Sequence, residues 1–165
     1  MADLLELPAP PATGVRATTR SKPGHLEIDL DVTSEAVPIV RTIVLAHLRL
    51  WALHGLTEPV TLTVSELLTN VLKHVPSDAR TGARSARLTV TRLPGALNVC
   101  VRDFDQAFPV PTSAAADAED GRGLQLVRAF ADDLGWAPAN SGKDVWANFT
   151  IPSGKRSEGL RREAS

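Results

Sequence analysis

The chain has 165 residues, 43% of them hydrophobic, with 18 basic and 19 acidic side chains for a net charge of -1. That apolar fraction can bury a core and excludes a wholly disordered polypeptide, while the balanced charge excludes broad attraction to nucleic acid or an anionic membrane. The single cysteine, Cys100, excludes an internal disulfide and a cysteine-based zinc site and suits a reducing cytoplasm.

The first segment, 1–24, holds Pro8, Pro10 and Pro11 without apolar periodicity and reads as a disordered tail. It has no basic start before an apolar core, so no secretory signal is expected, and no apolar run approaches the ~20 residues of a membrane helix. The expected domain is 25–152, and 153–165, polar and charged, reads as a second tail. His25–Val32 alternates Leu26, Ile28, Leu30 and Val32 with Glu27, Asp29 and Asp31, the pattern of a half-buried strand. Ser34 stands as a helix cap, and Val37, Val40, Val44, Leu45, Leu48 and Trp51 follow at helical spacing up to Gly55.

A second helix opens at Thr57, with Pro59 in its first turn, and ends at Pro76. Val64, Leu67, Leu68, Val71, Leu72 and Val75 form one apolar band, and Thr63, Glu66, Asn70, Lys73 and His74 are expected opposite it. Ala86–Leu93 and Ala96–Asp103 read as strands joined at Pro94–Gly95. Phe104–Gly121, with Pro109 and Pro111, is a long loop of the kind that serves as a lid. A third helix starts near Gly123, with Leu124, Val127, Phe130 and Ala131 inward, and stops by Gly135; Val145–Ile151 is the last strand. Adjacent hairpin strands with few crossovers predict an α+β fold: a two-layer α/β sandwich, its mainly antiparallel sheet carrying helices on one face.

Three features carry chemistry. Glu66, Asn70 and His74, at i, i+4 and i+8, share a helix face. Spacing alone fits a solvated face equally well; the functional reading is a carboxylate that accepts a hydroxyl proton beside an amide oxygen suited to Mg²⁺. Gly121–Arg122–Gly123 opens a helix after a loop, where backbone N–H groups can meet phosphate, although glycine before a helix is also ordinary loop chemistry. It matches neither the P-loop nor the dinucleotide fingerprint. Asp103 closes a strand where the lid begins and could read an amino group or simply form a turn.

Together and in this order, Val64–Ser65–Glu66–Leu67–Leu68–Thr69–Asn70 with His74, Val101–Arg102–Asp103, Gly121–Arg122–Gly123–Leu124 and Gly142–Lys143–Asp144–Val145–Trp146 resemble the GHKL ATPase/kinase superfamily. Within it the chain is similar to the small bacterial anti-sigma-factor serine/threonine kinases, especially actinobacterial ATP-binding regulators, over roughly Leu26 to Ile151. The resemblance implies the Bergerat-type ATP-binding fold, with ATP and Mg²⁺ as cofactors. It makes Glu66 the general base and Asn70 the Mg²⁺ ligand, puts His74 near the phosphates, and gives Asp103 to the adenine amino group. Gly121 and Gly123 form the second glycine box, with Arg122 and Leu124 beside the phosphates. The implied function is a cytoplasmic kinase that phosphorylates an anti-anti-sigma factor and sequesters a sigma factor, without direct nucleic-acid or membrane contact, in a family whose members often form homodimers. The alternative is a non-catalytic anti-sigma or adaptor module with a degenerate nucleotide site. Two departures favour it: Asp105 replaces the small residue of an Asp-x-Gly box, and Asp144 takes the place of a Thr or Ser that supports the adenine-reading aspartate, so Asp103 and Asp144 are expected to face each other.

Overall fold

The structure, a computed structural model, describes residues 14–104 and 122–153, with only the backbone of Arg122. The lid segment with Asp105 and Gly121, and both ends of the chain, lie outside the described residues. The elements run β1 (Ala17–Lys22), β2 (His25–Asp31), α1 (Ala36–Leu50), α2 (Thr57–His74), β3 (Ser85–Leu93), β4 (Ala96–Asp103), α3 (Arg122–Phe130), β5 (Asp133–Ala139) and β6 (Gly142–Thr150), with a short 3-10 turn at His54–Leu56. The six strands form one antiparallel sheet in the order β1-β2-β3-β4-β6-β5. The α+β sandwich expected from the sequence is the fold observed.

Alternation decides which side of the sheet is covered. Leu26, Ile28 and Leu30 of β2, Leu88 and Val90 of β3, Leu97, Val99 and Val101 of β4, and Ala147 and Phe149 of β6 are buried and in mutual register. Against them α1 lays Ala36, Val40, Val44 and Leu48, one residue per turn, and α2 lays Val60, Val64, Leu67, Leu68 and Val71. The opposite face stays open and polar. Arg20 reaches Glu27 and Asp29, Arg87 Nε donates to Asp29 Oδ1 at 2.7 Å, and Asn98 Nδ2 donates to Asn148 Oδ1 at 2.8 Å.

Several local expectations change. β1 lies inside the stretch read as a tail: every residue is exposed, so no buried period marks it, and it is held by main-chain pairing to β2 and by Arg20. β5 was likewise unmarked, because Gly135 and Pro138 interrupt its pattern and only an edge strand tolerates them there. A Cβ at Gly135 would overlap the ring of Trp146, which lies across it from β6. Phe130, read as inward, is 51% exposed, and Trp136 of β5 is 47% exposed. Ser34 does not cap α1: the N-cap position is Glu35, which makes no side-chain cap hydrogen bond, and it is Thr33 Oγ1 that accepts the Ala36 N–H at 3.1 Å. Thr57 does not cap α2: its hydroxyl donates to the His54 carbonyl at 2.9 Å. Thr63 is fully buried instead of facing solvent, with its hydroxyl donating to the Pro59 carbonyl at 2.8 Å.

Candidate active site

The polar stripe of α2 emerges where that helix meets α3. Glu66 and Asn70 are half-buried, one turn apart, about 6 Å along the axis, and His74 is exposed at the last turn. Glu66 lies directly against Gly123 at the start of α3. A Cβ at position 123 would overlap Glu66 Oε2 and stand 3.0 Å from Cδ. Glycine leaves room for the Glu66 carboxylate at this terminus, and a side chain there would push the carboxylate aside. Leu124 is partly buried and packs on the core with the fully buried Val127, which anchors α3 on α2 and sets that approach.

Asp103 ends β4 on the helix-covered face, with only 3% of the residue exposed. The register pairs it with Lys143 of β6, and Lys143 Nζ stands 3.4 Å from Asp103 Oδ2. A buried carboxylate needs such a partner, because an uncompensated charge away from water is costly. Gly142 makes the approach possible: a Cβ there would overlap the Asp103 carbonyl and stand 2.9 Å from the Phe104 Cα.

The expected opposition of Asp103 and Asp144 is not observed. Successive residues of a strand point to opposite faces. Asp144 is on the open face, where Arg102 Nε donates to Oδ1 at 2.7 Å and Nη2 to Oδ2 at 2.8 Å. Asp144 in turn holds the Arg102 guanidinium pKa above its ordinary value. The residue beside Asp103 that sequence reading missed is thus Lys143. Its signal was available: counting by two along β6 from the buried Phe149 and Ala147 reaches Val145 and then Lys143, not Asp144.

The described site therefore brings Glu66 to Gly123, and Lys143 to Asp103, on the helix side of the sheet. Asn70 lies beside Glu66 on the same stripe, and His74 lies at its exposed end. Gly121 and the Arg122 side chain are outside the described residues. A shallow open depression of about 300 Å³ lined by Asn98, Cys100, Asp144, Trp146 and Asn148 lies on the opposite face and shares none of these groups.

The family model described as the histidine kinase-like ATPase domain matches residues 19–149, well over half of the chain. The chain belongs to that family, within the GHKL superfamily. Among solved structures, a histidine kinase domain from the Erythrobacter litoralis EL346 blue-light activated histidine kinase is 22% identical, with a TM-score of 0.45, covering 58% of this chain and 44% of that one. The Erythrobacter litoralis EL346 kinase itself is also 22% identical, with a TM-score of 0.46, covering 59% of this chain and 31% of that one. The chain thus spans less than half the length of either solved kinase chain. No curated protein matches.

As a histidine kinase-like ATPase domain the chain is an ATP-binding unit. Its own residues fit a nucleotide. One buried carboxylate, Asp103, can accept hydrogen bonds from a base, Gly142 permits a close backbone approach to it, and Gly123 leaves room for the Glu66 carboxylate at the start of α3. Among the described residues no group of three His, Cys, Asp or Glu is arranged to hold a metal ion. Among the described residues no helix is long and apolar enough to cross a membrane.

Proposed function

We propose that this chain is a cytoplasmic anti-sigma-factor regulator. In this reading it is a serine/threonine protein kinase that phosphorylates an anti-anti-sigma factor and sequesters a sigma factor. The observation that carries the reading is the placement of Glu66 against the Gly123 end of α3, one turn from Asn70. This sets a proton acceptor beside N–H groups that favour phosphate.

Bound ATP would supply the phosphoryl group, and Mg²⁺ held beside it would offset the phosphate charge. Glu66 accepts the proton of the acceptor Ser or Thr hydroxyl as its oxygen bonds to phosphorus and the bond to the ADP oxygen breaks. Asn70 would hold the metal, the backbone N–H groups at Gly123 would bind phosphate oxygens, and Asp103 would orient the base. His74, Gly121, Arg122 and Leu124 complete the phosphate end in this reading. The reading also carries a homodimer of this chain.

The adaptor alternative drew on Asp105, which lies outside the described residues, and on a clash between Asp103 and Asp144. Asp144 is paired to Arg102 on the other face, so of these two grounds the clash is not observed. The test is phosphoryl transfer from labelled Mg-ATP to anti-anti-sigma proteins that bind the chain. Glu66→Ala is expected to lower transfer at least about 100-fold, as for loss of a general base, with nucleotide affinity little changed. Equal transfer by wild type and variant, or none by wild type to any bound partner, would overturn the kinase assignment.

A further inference from the structure

We propose that the exposed apolar flank of α3, Leu126 and Phe130, is the docking surface for the protein acceptor, and that the acceptor carries its Ser or Thr hydroxyl beside large apolar side chains. This rests on the kinase reading above and adds to it the surface by which the substrate is chosen.

Val127, fully buried, and Leu124, partly buried, hold α3 to the rest of the molecule. Leu126 and Phe130 belong to no part of that core: they are 46% and 51% exposed. At i and i+4 of one helix they are neighbours on its surface. Wound at about 100° per residue, both lie within about 60° of Gly123, on one flank of the helix. Gly123 is the residue of α3 that stands against Glu66. The apolar flank thus begins beside the carboxylate and runs along α3 away from it. Leu126 lies about 4.5 Å and Phe130 about 10.5 Å farther along the axis than Gly123.

The reaction geometry says what covers this flank. The acceptor hydroxyl has to come within about 2.6–3.2 Å of Glu66 to give up its proton. A protein that brings it there makes a specific contact of about 800 Å² on each partner, a patch roughly 25 Å across. Centred on Glu66, a patch of that size reaches Leu126 and Phe130. A protein phosphorylated at this carboxylate therefore covers both side chains. One that meets them with apolar groups of its own gains the removal of that surface from water. One that meets them with charged groups loses hydration and finds no counter-charge in Leu126 or Phe130. The flank thus selects among hydroxyl-bearing proteins by what surrounds the hydroxyl, separately from the groups assigned to the nucleotide.

The test is the rate of phosphoryl transfer from labelled Mg-ATP as the concentration of an anti-anti-sigma protein is varied. It compares wild type, Leu126→Lys, Phe130→Lys and the control Leu50→Lys on α1, where the leucine is 79% exposed. Each chain is also checked for its unfolding temperature and, by calorimetry, for ADP affinity. In each α3 variant the acceptor concentration at half-maximal rate is expected to rise at least about tenfold, the loss of an interface anchor. Maximal rate and ADP affinity should match wild type, and Leu50→Lys should match it throughout. An unchanged acceptor dependence in either folded variant overturns the docking surface and leaves the kinase reading standing. So does a loss of ADP affinity in them, which gives the side chains to the nucleotide, or an equal rise in Leu50→Lys. No transfer by wild type to any anti-anti-sigma protein overturns the kinase reading and this surface with it. Should a lysine variant unfold early, Leu126→Gln and Phe130→Gln decide in its place.

Discussion

At the scale of single residues, the open sheet face shows how position sets chemical behaviour. Cys100 sits between the strands that carry Thr89 and Trp146, and burial, followed by the nearby Asp144 carboxylate, pushes its thiol up to about 11. A thiol that stays protonated is a poor nucleophile. Cys100 should therefore resist alkylation by iodoacetamide at pH 8 in the native chain and react at the rate of an ordinary cysteine once the chain is unfolded in denaturant. Rapid native-state modification would contradict the placement.

Asp29 titrates in the opposite direction. The Arg87 hydrogen bond, outweighing partial burial and aided by the charges of Arg87 and Arg20, holds its carboxyl below the usual carboxylate range. A carboxylate with a depressed folded pKa stabilises the fold above its unfolded pKa of about 3.9, and that contribution disappears as pH falls through the lower, folded value. Both partners are more than a third exposed, so solvent screening limits the effect to about 0.2–1 kcal/mol. Asp29→Asn should be slightly less stable than wild type in urea titrations at pH 7, and the gap should narrow as pH falls below about 3.9 and through the lower folded value.

At the scale of elements, the end of the β4–β6 ladder bears most directly on the site. Gly142 has φ +157°, and its backbone lies against the Asp103 carbonyl, leaving no space for a methyl group. Gly142→Ala would force the start of β6 away from β4 and separate Lys143 from Asp103. It should cost about 1–3 kcal/mol of stability and weaken nucleotide binding more than a control Gly95→Asn in the β3–β4 turn. That turn has open space around it and φ +71°, which asparagine tolerates. Paired denaturant melts and calorimetry on the two variants make the check.

The same ladder explains which elements were legible in sequence. β2, β3 and β4 alternate strictly because one face is buried and the other wet, and their limits were readable within a residue or two. The two edge strands were not: β1 buries nothing, and β5 contains a glycine that a neighbour's tryptophan covers. An edge strand owes its existence to a partner's main chain, which leaves little trace in its own side-chain order.

At the scale of the whole molecule, the covered face of the sheet and the helices share one hydrophobic core running from Leu26 to Phe149. Phe149 is among the largest wholly buried side chains and lies opposite Leu97 in the ladder. Phe149→Ala should lower stability by about 3–5 kcal/mol in denaturant unfolding. Because α2 carries Glu66 and packs on that core, the same variant should also bind ADP less tightly than wild type.

The sequence by itself determined the α+β class, the polar stripe of Glu66 and Asn70, and membership of the GHKL superfamily, because periodicity and short motifs are local properties of the chain. Only the tertiary structure decided that Glu66 meets Gly123, that Lys143 and not Asp144 stands beside Asp103, and that Arg102 holds Asp144 on the far face. Those pairings depend on register and helix docking between segments far apart in sequence. A strand offset of one residue exchanges every partner and every face, and burial of the apolar set is what fixes that offset.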